Sequence, residues 1–213
     1  MSARLTGRAA TVAAVVVATA AGLAVGLLVA GGVLRADVPV EGSAEVGFAR
    51  DMQAHHAQAV EMAMLVRDRS DDAELRQVAL DIVLTQQQQQ GQMYGWLSVW
   101  GLPQATTAAP MAWAQGHGHG GAEAGGAEAG GTVGMPGMAT AEQLAALRDA
   151  RGSDAERLFL ELMIAHHEGG VAMARSALDL AEHPAVRRLA QAVVDSQTAE
   201  IAVLEGLLAR VDD

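Results

Sequence analysis

The constraint that most narrows what this chain can fold into is a duplication. With an ungapped offset of 111 residues, Phe48-Ala-Arg-Asp-Met52-Gln-Ala-His55-His56 aligns with Phe159-Leu-Glu-Leu-Met163-Ile-Ala-His166-His167, followed by Val60/Val171 and Met62/Met173. The register persists through Leu75/Val186, Arg76/Arg187, Val78/Leu189, Ala79/Ala190, Ile82/Val193, Thr85/Ser196 and Gln86/Gln197. Each copy reads as two helices joined near residues 70–72 or 182–184. Asp71 with Glu74 forms a capping-box pair, and Pro184 suits a first helical position. Thr140/Gln143 and Ser153/Glu156 are further capping-box pairs, which predicts a short extra helix before the third long one. The expected fold is all-α: a four-helix bundle of two tandem antiparallel hairpins, residues 43–102 and 140–213.

Helical spacing then places the polar residues. Positions 48, 52, 55, 59, 62 and 66 follow a 4,3,4,3,4 pattern, as do 159, 163, 166, 170, 173 and 177. Such seams face a bundle interior, which puts His55 and His166 inside and His56 and His167 at the seam edge. The return helices carry apolar seams from 75 to 100 and from 186 to 211, interrupted in the middle by Gln86, Gln89, Gln197 and Glu200. With turns near 70–71 and 181–182, His55 should lie opposite Gln86 and Met52 opposite Gln89, with His166/Gln197 and Met163/Glu200 equivalent. All the polar interruptions fall in one layer. Burying such groups costs about 1–3 kcal/mol each unless they find partners.

Two readings of that layer stand side by side. Histidine and glutamine can satisfy one another as a buried network that fixes helix pairing. Alternatively the layer holds a metal ion: Met52, His55 and His56 are neighbours on one helical face, Met163, His166 and His167 repeat them, and Met62 and Met173 follow seven residues later. Imidazole suits copper, zinc, iron or nickel, whereas thioether selects copper(I), so copper, as Cu(I) or Cu(II), is the first expectation and zinc a weaker one. The chain has no cysteine, leaving methionine as its soft ligand and excluding disulfide, zinc-ribbon and iron–sulfur frameworks. Asp51 lies one turn before His55 and is a candidate to orient it. Gln86, Gln89, Gln197 and Glu200 are candidate supporting groups. Trp96, Trp100 and Tyr94 are expected to close one end of the bundle.

Between the hairpins, residues 103–139 include Gly-His-Gly-His-Gly and Met-Pro-Gly-Met and read as a flexible linker. His117 and His119, with Met111, Met135 and Met138, are weak metal-capture candidates there. Before the hairpins, residues 9–34 form 26 consecutive uncharged positions, flanked by Arg4 and Arg8 on one side and Arg35 on the other. That length crosses about 30 Å of hydrocarbon. It predicts a transmembrane anchor with residues 1–8 as a cytoplasmic tail and the main domain extracytoplasmic; a long signal peptide is the competing reading and would make the protein secreted. The residues beyond it carry 11 Arg against 25 acids, a balance of −14. Such a surface disfavours nucleic acid and suits a cation. The 3% aromatic content within a 51% hydrophobic chain suits helices packed through Ala, Leu, Val and Met.

At these residues the chain resembles the bacterial domain-of-unknown-function family three-zero-five, marked by Met-x-x-His-His near a helix start. The resemblance covers about residues 43–100 and 140–211. It rests on the duplicated motif, the downstream Met, His183-Pro184 and Gln197-x-x-Glu200. It implies a ferritin-like bundle, extracytoplasmic copper binding connected with copper resistance, and Met52, His55, His56, Met163, His166 and His167 as ligands. Many members carry Pro before the paired histidines where this chain has Ala54 and Ala165, and the two halves differ at Gln89 and Glu200. No Glu-x-x-His occurs and Glu200 is the one seam carboxylate, a poor match to a di-iron oxidase. No nucleophile–base set or phosphate loop is present, so a non-enzymatic role is expected. A metal-free, membrane-tethered interaction module is the alternative.

Overall fold

The structure, a computed structural model, describes residues 19–26, 38–115 and 134–212. The chain divides into two units, Met1–Val38 and Pro39–Asp213. In the first, residues 19–26 are helical; the rest of the expected span 9–34 and the tail 1–8 lie outside the described residues. Among the described residues no helix is long and apolar enough to cross a membrane.

The second unit is all-helical among its described residues. It comprises α1 (Ala44–Arg67), α2 (Ala73–Val99), a 3-10 turn (Ala112–Ala114), α3 (Ala141–Asp149), α4 (Gly152–Leu180) and α5 (Pro184–Asp212). Helices α1 and α2 pack together, as do α4 and α5, and α1 packs on α4. Ser43 caps α1 through the Val46 amide, and Thr140 forms a complete capping box with Gln143 at the start of the expected short helix α3. Two expected caps are corrected. The cap of α2 is Asp72, whose carboxylate accepts from the Leu75 amide at 2.8 Å, one residue after the expected Asp71. At α4 no side chain caps the helix: it begins at Gly152 with Arg151 at the cap position, so the expected Ser153/Glu156 pair falls inside the first turn, where Glu156 accepts from the Ser70 hydroxyl of the other hairpin. Pro184 does open α5, with the His183 ring accepting from the Ala185 amide.

Two apolar clusters fill the interior. One gathers Met62, Val66, Leu75 and Ile82 with Phe159, Met163, Leu204 and Leu207. The other gathers Phe48, Met52, Met93 and Leu97 with Met173, Ala177, Val186 and Val193. The first half of α1 therefore packs with the second half of α4, and the reverse, so these helices run antiparallel. Between the clusters lie His55, His56, Gln86, Gln89, His166, His167 and Gln197, all buried. Toward its end α2 buries Leu97, one position past the strict 3.5-residue seam through 75, 79, 82, 86, 89, 93 and 96; a helix of 3.6 residues per turn drifts from such a repeat by about 20° per heptad. Trp96 and Trp100 stack with ring centroids 6.0 Å apart and pack on the second cluster, as expected, whereas Tyr94 is exposed.

The linker is not free at its described ends, which corrects the expectation for residues 103–139. Arg50 donates to the Pro103 carbonyl at 2.8 and 3.0 Å. The Met111 amide and the Trp113 indole both donate to Asp51, each at 2.8 Å. On the return side, the Gln58 amide pairs with both the Ala139 carbonyl (2.9 Å) and the Ala139 N–H (2.7 Å). Residues 116–133, with His117 and His119, lie outside the described residues.

Candidate metal centre

Four histidines meet where α1 crosses α4, and all four are fully buried. His55 and His166 come from opposite hairpins, and their rings lie face to face with centroids 3.8 Å apart and planes at 36°. His56 and His167 stand outside this pair, 6.5 and 6.4 Å from their neighbours. They are not at an edge, as the seam placed them. Each turns toward its own hairpin's return helix, so the four rings form a row across the layer.

The return helices hold the outer two rings. His56 Nε2 donates to Gln89 Oε1 at 2.7 Å, and His167 Nε2 donates to the Glu200 carboxylate at 2.8 Å. The expected partners, His55 with Gln86 and Met52 with Gln89, are thus corrected by about one helical turn, and likewise His166 with Gln197 and Met163 with Glu200. The reason is side-chain direction. Every Cα–Cβ bond leans toward its helix N-terminus, which is away from the turn on α1 and toward the turn on α2. A histidine on the outgoing helix therefore meets a residue further along the return helix than backbone levels suggest.

Protonation follows from the partners. His55 Nε2 lies 3.1 Å from the Pro136 carbonyl, which can only accept, so that nitrogen carries the hydrogen. Burial pushes the His55 pKa down to about 4, with the Pro136 bond opposing it. Burial pushes His56 to about 3, with the nearby His55 adding to the effect, and holds His166 well below its ordinary value. Neutral rings that donate through Nε2 keep a lone pair on Nδ1. The Nδ1 atoms of His55, His56 and His167 are buried without partners, as are both nitrogens of His166 and both amide atoms of Gln86 and Gln197.

Among the remaining sequence candidates, Met52, Met62, Met163 and Met173 are all fully buried. Each apolar cluster holds one of these candidates from each hairpin, Met62 with Met163 on one side of the layer and Met52 with Met173 on the other, where Met93 is buried as well. Gln89 and Glu200 each accept from a histidine ring. Gln86 and Gln197 lie in the layer without such a bond. Asp51 is corrected: its carboxylate serves Met111 and Trp113, not His55. Among the described residues no group of three or more His, Asp or Glu side chains surrounds one point. A soft ion held here would draw on imidazole nitrogen and thioether sulfur together, and the orphaned lone pairs beside buried methionines fit that donor set.

Sequence reasoning missed four residues of this region. Gly137, at φ +75°, and Gly169 let the segment after the linker lie on α4; a Cβ at Gly169 would stand 2.1 Å from the Pro136 oxygen, and one at Gly137 would stand 2.3 Å from the Ala165 oxygen. Pro136 and Gln58 anchor the same segment. Their one signal was Met135-Pro-Gly-Met138 within an Ala/Gly-rich stretch.

Two antiparallel helical hairpins closed around a row of four buried histidines, with methionines on both sides, define an all-helical class with an interior polar layer. The chain belongs to the family described as Domain of unknown function (DUF305), whose profile matches residues 45–208. Among solved structures it is similar to a DUF305 protein of Streptomyces coelicolor classed as secreted, at 42% identity and TM-score 0.72, covering 81% of this chain and 96% of that one. A DUF305 fragment from Deinococcus radiodurans is 37% identical with TM-score 0.63, covering 78% and 96%. The fold is shared with CopM, solved in a Cu(I)-bound form, at 24% identity and TM-score 0.57, covering 78% and 96%. No curated protein matched the chain.

Proposed function

We propose that this protein binds copper outside the cytoplasm, tethered through residues 9–34, and that it sequesters or hands on the ion without transforming a substrate. One observation carries the reading: five imidazole nitrogens in one layer are buried and unpartnered, between apolar clusters that each hold buried methionines. A network built only for structure would use those atoms, because an unsatisfied buried polar group costs about 1–3 kcal/mol. His55 and His166 would hold the ion, with Met52, Met62, Met163 and Met173 supplying sulfur and His56 and His167 the flanking nitrogens. Burial keeps His55 and His56 neutral at ordinary pH, so that no proton need be displaced from their Nδ1 atoms. The fold is shared with CopM, which has been crystallised with Cu(I), Cu(II) and Ag, and this supports copper as the cargo. The metal-free alternative, an interaction module with a self-satisfied layer, draws its support from the His56–Gln89 and His167–Glu200 bonds.

The test is a titration of the chain with Cu(I), Cu(II) and Zn(II), repeated with His55→Ala plus His166→Ala and, separately, with His117→Ala plus His119→Ala. Copper binding with zinc much weaker, abolished by the interior pair alone, is the expected result. Binding that survives the interior pair would sink the interior site, and loss in the linker pair alone would move it to the linker.

A further inference from the structure

Residues 135–139 cross the histidine row as a strap. Pro136 is exposed, while His55, whose ring meets its carbonyl, and the facing His166 have no accessible surface. The strap sits close because no side chain stands between it and α4: Gly169 lies under the Pro136 carbonyl and Gly137 over Ala165 and the His166 backbone. Three hydrogen bonds hold it. His55 Nε2 donates to Pro136, and the Gln58 side chain takes both the carbonyl and the N–H of Ala139. Immediately beyond, Thr140 starts α3 with a complete capping box, which gives the strap a fixed end. Gly134 and Gly137 both adopt positive φ, leaving the other end on residues that tolerate backbone change.

We propose that residues 135–139 are a gate over the histidine row, latched by Gln58 and by His55, and that an ion reaches His55 and His166 only when the strap lifts. The inference rests on the copper-binding reading and concerns how that site is reached. His55 is both latch and ligand: its Nε2–H holds the strap while its Nδ1 is buried without a partner. Met135 is partly buried against the cluster that contains Met52, so lifting the strap moves a thioether along with the cover.

Two measurements on the full chain in detergent test this. The first uses no metal: carbethoxylation by diethyl pyrocarbonate, located by peptide mass spectrometry, in the wild type and in Gln58→Ala and Gly169→Ala. His55 and His166 should react about tenfold faster in both variants, the scale expected from losing one or two hydrogen bonds, while His56 and His167, held by α2 and α5, stay unchanged. The second follows Cu(I) transfer to a chromophoric chelator. Uptake and release should accelerate together with stoichiometry unchanged. Helical circular dichroism monitors folding, and Gln58→Ala serves alone if Gly169→Ala fails to fold. Unchanged modification and unchanged transfer rates in Gln58→Ala would overturn the gate, even with copper binding intact. A wild-type chain that takes up no Cu(I) would overturn the copper reading, and the modification rates would still decide whether the strap covers the rings.

Discussion

Two adjacent glycines on α4 show how much a single residue decides. At Gly170 an added Cβ would meet the far end of Gln197, 2.3 Å from its Oε1, a side chain that can swing away. Gly170→Ala is expected to change stability by less than about 1 kcal/mol, the helix-propensity gain offsetting a displaced glutamine. Gly169→Ala meets the Pro136 backbone and should cost more; urea unfolding of the two variants compares them. The histidines set the pH response. Free histidine titrates near 6.5 and folded His55 near 4, so between those values the unfolded chain binds protons that the native one refuses. Stability should therefore fall as pH drops through this window, by about 2 kcal/mol from His55 between pH 7 and pH 5. Urea titrations at the two pH values measure it, and a flat profile would mean that the rings are not buried neutral.

At the element scale, cap register separates neighbouring residues that the sequence treats alike. Asp72→Ala should destabilise α2 by about 1 kcal/mol, while Asp71→Ala should be nearly silent, because only Asp72 accepts from the Leu75 amide. Thermal melts of both report it. Asp51 has a parallel role between elements. Asp51→Ala removes the acceptor shared by Met111 and Trp113, whose indole packs edge-on against Phe48 with centroids 6.1 Å apart. A loss of about 1–3 kcal/mol is expected, together with a red-shifted tryptophan emission as that indole gains water. Helix periodicity made α1, α2, α4 and α5 legible beforehand, and the Thr140 box made α3 legible. The strap and the docked linker ends were not, because a backbone carbonyl bound to a histidine leaves no pattern in residue types.

For the whole molecule, the decisive arrangement is the antiparallel crossing of α1 and α4, which turns two half-motifs into one row. An ion bound only by the folded state should stabilise it by about 3 kcal/mol at a hundredfold excess over Kd. Cu(I) should thus raise the thermal midpoint of the chain, and His55→Ala plus His166→Ala should remove that shift. The strong negative balance of the residues beyond 35 favours the approach of a cation, and that dependence weakens as salt screens it.

By itself the sequence determined the helices, the pairing within each hairpin, the burial of histidines at 55 and 166 and the restriction of soft donors to methionine, because apolar spacing at 3.6 residues and the absence of cysteine are local or compositional facts. Only the tertiary structure decided that His56 pairs with Gln89 and His167 with Glu200, that Asp51 serves the linker, and that Pro136 covers His55. Those outcomes depend on the lean of side chains along antiparallel helices and on where a connecting segment returns. Both are properties of packing between distant parts of the chain, and the periodicity of a single helix does not contain them.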